Sequence, residues 1–169
     1  QLANDFRKKY RILFFPLINP DGVDLGHWRH NGGGIDLNRD WAYYRQPEVR
    51  QTADQIVSMV KKAKSKVILG LDFHSTYKDI YYSNSLAPDQ IHHFKDYWLQ
   101  GIEEALVAFD YQTKEAPSGL RAPVSKGWFY QQFKAEALTY EIGDSTPRDM
   151  IMLKGRISAL EMMQLLIFR

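Results

Sequence analysis

The sequence contains no cysteine, which excludes disulfides and thiolate metal sites. It has no apolar run approaching the roughly 18 residues of a membrane span. Neither sign of charge dominates: 22 Lys and Arg stand against 20 Asp and Glu, a net charge of +2. That balance gives no reason to invoke nucleic acid or an anionic membrane as a partner. Internal repeats, low-complexity stretches and a linker that would divide domains are also missing. No signal peptide is visible, and because the chain opens on Gln1 and not Met, its start is expected to have been removed. What is present is a hydrophobic fraction of 44% and an aromatic fraction of 14% over 169 residues, the composition of a well-packed globule. Residues 1–169 read as one domain, able to bury about two thirds of its unfolded surface.

The densest stretch of chemistry runs from Asn19 to Trp41, NPDGVDLGHWRHNGGGIDLNRDW. Asn19-Pro20-Asp21-Gly22 is a turn signal, since Pro presets φ and Gly accepts a positive φ. It follows the apolar run Arg11 to Ile18, which reads as a strand covered on both faces, so the turn is expected at a strand's C-terminal end, where open α/β sheets place their sites. Arg29, the glycines Gly32, Gly33 and Gly34, and then Asn38 and Arg39 follow. Guanidiniums and an amide beside glycine-rich backbone suit an anion such as a carboxylate. The competing reading is a polar surface loop with incidental charges.

The remaining chain alternates helix and strand patterns. Gln1 to Tyr10 reads as the last turns of a helix. Pro47 fits a first helical position, and Val49, Ala53, Ile56, Val57 and Val60 recur on one helical face; Lys61, Lys62, Lys64 and Lys66 close that helix, where cations complement its dipole. Val67 to Phe73 reads as a second buried strand that brings Asp72, His74, Ser75 and Thr76 to its rim, and Asp79 to Ser83 as a short strand. Pro88 is expected to open a helix with Ile91, Phe94, Trp98, Ile102, Leu106 and Phe109 as its apolar stripe. His92 and His93 on that helix point about 100 degrees apart, which prevents them from sharing a metal easily. Tyr111 to Gly127 is the least regular segment, followed by a short helix from Gly127 to Phe133 and a strand from Leu138 to Ile142 that delivers Glu141 to the rim. Thr146-Pro147-Arg148-Asp149 resembles a capped helix start, with Leu153, Ile157, Leu160, Met163 and Ile167 as the inward face of the last helix.

Three stretches in order, Asn19-Pro20-Asp21-Gly22 with the later GIDLNRDW, Leu71-Asp72-Phe73-His74-Ser75, and Thr139-Tyr140-Glu141-Ile142-Gly143-Asp144, resemble the zinc carboxypeptidase family of the pancreatic carboxypeptidase type. The similarity runs from about Arg11 to the C-terminal helix. It implies an α/β fold of three layers, a mixed, mostly parallel sheet with helices on both faces and the site at the strand ends. It also implies one zinc ion per site, with His74 as a ligand. The family's other two ligands lie in a His-x-x-Glu motif upstream of the turn; no His precedes Asn19 here, so those ligands, the first strands and a helix are expected upstream of Gln1.

Hydrolysis of an amide at neutral pH needs an activated water, a polarised carbonyl and a proton for the leaving amine. The resemblance implies Glu141 as the general base, Arg29 as the cation at the developing oxyanion, Asn38 and Arg39 as the grip on the substrate's terminal carboxylate, Ser75 as a further substrate contact, and Asp36 as the carboxylate orienting the family's first histidine. The expected substrate is a peptide with a free C-terminal carboxylate. By the resemblance, Lys126 falls where the family lines its specificity pocket, an alignment supported by the matching neighbour Trp128, and a lysine there favours an acidic terminal side chain. The family's mobile tyrosine falls on Gly119, leaving Tyr111 or Tyr130 to replace it. An extracytoplasmic compartment, periplasmic or secreted, is favoured by the resemblance. Two other readings stand beside the peptidase: an aspartoacylase-like amidohydrolase, and a metal-free module that grips C-termini without cleaving them.

Overall fold

The computed structural model describes residues 1–85 and 93–168. Its elements run α1 (Leu2–Lys9), α2 (Pro20–Asp24), α3 (Pro47–Ala63), β1 (Leu69–Thr76), β2 (Ile80–Asn84), α4 (Phe94–Ala105), β3 (Glu115–Ser118), α5 (Ser125–Phe133), β4 (Glu136–Gly143) and α6 (Arg148–Phe168), with 3-10 turns at Leu37–Arg39 and Val107–Phe109. The sheet order is β1-β4-β2-β3. β1 and β4 are parallel from Leu69 opposite Glu136 to Thr76 opposite Gly143, β2 and β3 are parallel, and β2 runs antiparallel to β4 with Ile80 opposite Glu141. The sheet is therefore mixed, as expected.

Strand alternation divides the molecule into layers. Leu138 and Tyr140 of β4 and Tyr81 of β2 face a core built with Phe6 of α1, Phe94, Trp98 and Ile102 of α4, and Leu166 of α6. On the other face lies α5. A Cβ on Gly70 of β1 would come 2.6 Å from the ring of Phe129, so the helix sits directly on the strand backbone. Trp128 of α5 then joins Leu37, Trp41, Val49, Ala53 and Ile56 in a second core that seats α3. Helices thus cover both faces, the three-layer arrangement the sequence leads one to expect.

Local signals explain most of the elements. Pro47 occupies the first turn of α3, and Lys64 closes it at φ 49° in the left-handed region. The α4 stripe buries Phe94, Trp98, Ile102 and Leu106. Of that expected stripe, Ile91 lies outside the described residues, as do the expected helix start Pro88 and His92, and Phe109 is exposed. The Asn19–Gly22 turn is the start of the short helix α2, capped by the Asn19 side chain, which accepts from the Gly22 amide at 3.0 Å.

The expected strand over Arg11–Ile18 does not form. The segment carries no strand assignment, and Ile12, Phe14 and Leu17 are exposed at 69%, 76% and 55%. An apolar run becomes a strand only where a neighbour supplies its ladder, and β1, the strand at that border of the sheet, pairs among the described residues with β4 alone. The turn of residues 19–22 therefore follows an extended, unpaired segment. The irregular stretch Tyr111–Gly127 in turn contains β3, an edge strand that tolerates Pro117 because an edge has a side needing no amide donor. On α6, Leu160 is 37% exposed while Lys154 is 2% exposed, so the inward face includes a cation that apolar spacing does not reveal.

Candidate active site

The parallel register of β1 and β4 sets His74 opposite Glu141 and Asp72 opposite Thr139. Paired residues in a sheet point to the same face, so His74, Asp72 and Glu141 share the α5 side. The imidazole is held at one nitrogen. Nε2 lies 2.9 Å from Asp72 Oδ2 and 3.3 Å from Asn38 Nδ2. The shorter, charge-assisted contact places the ring proton on Nε2, donating to Asp72. That tautomer leaves the lone pair on Nδ1. Burial opposes protonation of His74, but the Asp72 hydrogen bond and the charges of Asp72, Glu141 and Asp36 outweigh it and raise the pKa. The same carboxylates that raise a proton's affinity for this ring would raise a cation's.

Asn38 is fixed at its backbone amide, its carbonyl and its side-chain oxygen. Asp36 caps its amide at 2.9 Å, Arg39 Nη1 donates to its carbonyl at 2.8 Å, and its Oδ1 accepts the Ser125 amide at 2.9 Å. Ser125 also donates through Oγ to Asp72 Oδ2. The N-terminus of α5 is thereby tied to the loop, to β1 and, through Asp72, to the imidazole. Asp36 turns its other oxygen to Arg29 Nε at 3.4 Å, with the arginine about half exposed and stacked over Trp28. The glycine-rich loop is organised by Asn31, which is buried. Its Oδ1 accepts from Gly33 and Ile35 at 3.1 and 3.0 Å, while Nδ2 donates to Gln46 and Glu48 at 2.8 and 3.0 Å. Gly34 completes the turn at φ 77°.

Of the residues expected from sequence, Arg29, Asp36, Asn38, Arg39, His74 and Glu141 belong to this one hydrogen-bonded and electrostatic neighbourhood. Ser75 does not join it: it is exposed and follows His74 on β1, so alternation turns it to the opposite face. Lys126 is buried on α5, where its Nζ donates to Asn84 Oδ1 at 3.0 Å and Asn84 Nδ2 donates back to its carbonyl at 3.2 Å; burial lowers its pKa. Tyr111 donates to Asp79 at 3.0 Å, away from Glu141. Tyr130 lies on α5 under the Lys134 ammonium. Two contributors are given no role by the sequence: Asp72, which it places at the rim only, and Ser125. Asp72 carries a readable signal, because a carboxylate two positions before a strand histidine shares its face; Ser125 has none, since its partners are distant in the chain.

The donor chemistry fits a zinc site in part. A neutral imidazole with one nitrogen bonded to a carboxylate and the other free is the usual state of a histidine ligand. Among the described residues, however, no group of three His, Cys, Asp or Glu side chains is arranged to hold a metal ion, so they supply one ligand and not a complete set.

Over 76 residues the chain is 29% identical to cytosolic carboxypeptidase 6 of Caenorhabditis elegans, covering 43% of this chain and 17% of that protein. It is 30% identical over 77 residues to the Mus musculus protein of the same name, covering 44% of this chain and 14% of the relative. Among solved structures, a metallo-carboxypeptidase from Burkholderia cenocepacia superposes with a TM-score of 0.64 at 21% identity over 99% of this chain and 46% of its own. Thrombin activatable fibrinolysis inhibitor gives 0.67 at 16% identity over 100% and 54%. At those identities the structures speak for the fold alone. The chain thus spans about half the length of these solved proteins and less than a fifth of the curated relatives. The family model described as zinc carboxypeptidase matches residues 1–160, and the chain belongs to the zinc carboxypeptidase family.

Proposed function

We propose that this site serves a zinc-dependent metallocarboxypeptidase, which hydrolyses the last peptide bond of a substrate with a free C-terminal carboxylate. The observation that carries the reading is the register of His74 with Glu141 on the face where Asp72, Asn38 and Arg29 converge. His74 would hold the metal through Nδ1, with Asp72 fixing the ring. Bound there, zinc would supply Lewis acidity toward the carbonyl and the water. Glu141 takes the proton from the attacking water and returns it to the leaving amine. Arg29, steadied by Asp36, faces the charge that develops on the carbonyl oxygen. Asn38 and Arg39 receive the terminal carboxylate, which an internal peptide bond lacks. Glu141→Gln is expected to abolish turnover while peptide binding, followed by calorimetry, survives; retained turnover would remove the role given to Glu141.

Lys126 supports an acidic preference. Its ammonium is buried with a neutral amide as partner and no carboxylate paired with it among the described residues, and a buried cation in that setting favours an anionic ligand. Lys126→Ala is expected to lose discrimination between C-terminal Glu and Leu by about tenfold or more, and an unchanged ratio would remove that assignment. The metal-free C-terminus-binding module draws on the incomplete ligand set of the described residues. Zinc analysis of the full-length protein decides: one equivalent supports the peptidase, none the binding module. Short peptides assayed against N-acyl amino acids separate the peptidase from an aspartoacylase-like amidohydrolase.

A further inference from the structure

A second cluster of ionisable groups lies behind Glu141, on the face away from the site. Lys154 of α6 is buried and paired with Asp79. Its ammonium sits 4.2, 4.5 and 5.2 Å from the ring centroids of Tyr140, Tyr111 and Tyr81. Asp79 accepts from the Tyr111 hydroxyl at Oδ1 and the Tyr140 hydroxyl at Oδ2, both at 3.0 Å. Burial brings the Lys154 amine down to about 8 despite its carboxylate partner. A buried ion pair is a poor source of stability, and an apolar core of the same volume often does better; its best-attested use is to specify register.

The position of the pair shows which register is at stake. Asp79 immediately precedes Ile80, the ladder partner of Glu141. Tyr140 immediately precedes Glu141 and stacks on Tyr81 at 4.5 Å and 12°. The antiparallel ladder holding β2 against β4 consists of the pairs Ile80–Glu141, Tyr81–Tyr140 and Tyr82–Thr139, against the full run from Leu69 to Thr76 that joins β1 to β4. A slip of one residue in a strand turns each side chain to the other face. Such a slip between β2 and β4 would carry the Tyr140 hydroxyl away from Asp79. It would also disturb the segment that leads from His74 through Thr76 to Asp79, where the Asp144 amide donates to the Thr76 carbonyl at 2.7 Å.

We infer that Asp79 and Lys154, with the hydroxyls of Tyr111 and Tyr140, are positioning residues that pin the β2–β4 register and so keep Glu141 facing His74. The functional half of this inference rests on the role proposed for Glu141; the register half does not. The test is cross-strand NOE spectroscopy on the full chain carrying Lys154→Met, with Asp79→Asn/Lys154→Met as the second variant, because it leaves no unpaired charge if the single change fails to fold. Contacts between Ile80 and Glu141 and between Tyr82 and Thr139 are expected to weaken or split into two sets. Those between Leu71 and Leu138 on the β1 side should persist. In parallel, kcat on a short peptide is expected to fall about tenfold with KM within about twofold. Intact β2–β4 contacts in a folded variant would overturn the inference, whatever its melting temperature. Lost contacts with unchanged kcat would leave the pin standing and remove the proposed role of Glu141 instead.

Discussion

Gly70→Ala probes how closely the site depends on the seating of α5. The new methyl carbon would stand 2.6 Å from Phe129 Cδ2 and Cγ and 2.9 Å from Cδ1. Unstrained carbon–carbon contacts lie at about 3.5–4.0 Å, so the ring must retreat by about 1 Å. Overpacking of this kind costs about 1–3 kcal/mol, offset by the roughly 0.5–1 kcal/mol that replacing glycine returns in a regular strand. The expected net loss is about 1–2 kcal/mol, read as a lower urea midpoint at unchanged slope. The displacement does not stop at the ring. Phe129 lies one turn from Ser125, whose hydroxyl and amide reach Asp72 and Asn38, so the nitrogen resonances of the His74 ring should shift with the methyl in place. Phe129→Leu makes room, and a double-mutant cycle should return a favourable coupling of about 1 kcal/mol. A Gly70→Ala protein within about 0.5 kcal/mol of wild type, or an additive cycle, would refute the close approach of α5 to β1.

Two further outcomes follow from the ionisable groups. Asp72→Asn removes the charge that fixes the His74 tautomer, and zinc affinity of the full-length protein by competition titration is expected to fall about 10–100-fold; an unchanged affinity would mean that Asp72 does not orient the ligand. Stability should also pass through an alkaline maximum. The folded-state value of Lys154, about 8, lies below its unfolded value of about 10.4, so between those limits the unfolded chain binds more protons and stability rises with pH, by about 2 kcal/mol near pH 10. Burial raises Tyr81, Tyr111 and Tyr140 above the unfolded value of about 10, so beyond it the unfolded chain sheds protons that the native one keeps, and stability falls. Thermal melts from pH 7 to 11 check both limbs, and Lys154→Met should abolish the rise while leaving the fall.

The sequence was most legible where signals are local. Pro47 with the stripe Val49, Ala53 and Ile56 specifies α3 through its own periodicity. The order of the turn, His74 and Glu141 specifies a site because each sits at the end of an apolar run or in a turn. Long-range pairing was not legible. Arg11–Ile18 has the composition of a strand, but composition cannot say whether a ladder partner is present. β3 hides in a segment rich in turn residues because a partner, not propensity, makes Glu115–Ser118 extended. Lys154 interrupts the apolar face of α6 because its counter-ion lies on another element. Ser125, although adjacent to Lys126, reveals its importance only through groups far away in the chain.

The border at β1 has a consequence for handling. Along Leu69–Thr76 the strand is laddered on one side by β4, and Phe73 is 59% exposed, with the apolar side chains of Ile12, Phe14 and Leu17 also open to water. Among the described residues the other side of β1 has no ladder partner and lies beside apolar surface, an arrangement that accepts a further extended strand. Handled as residues 1–169 alone, the polypeptide is therefore expected to stay dispersed according to how well that border is shielded, more than according to the packing of its two cores.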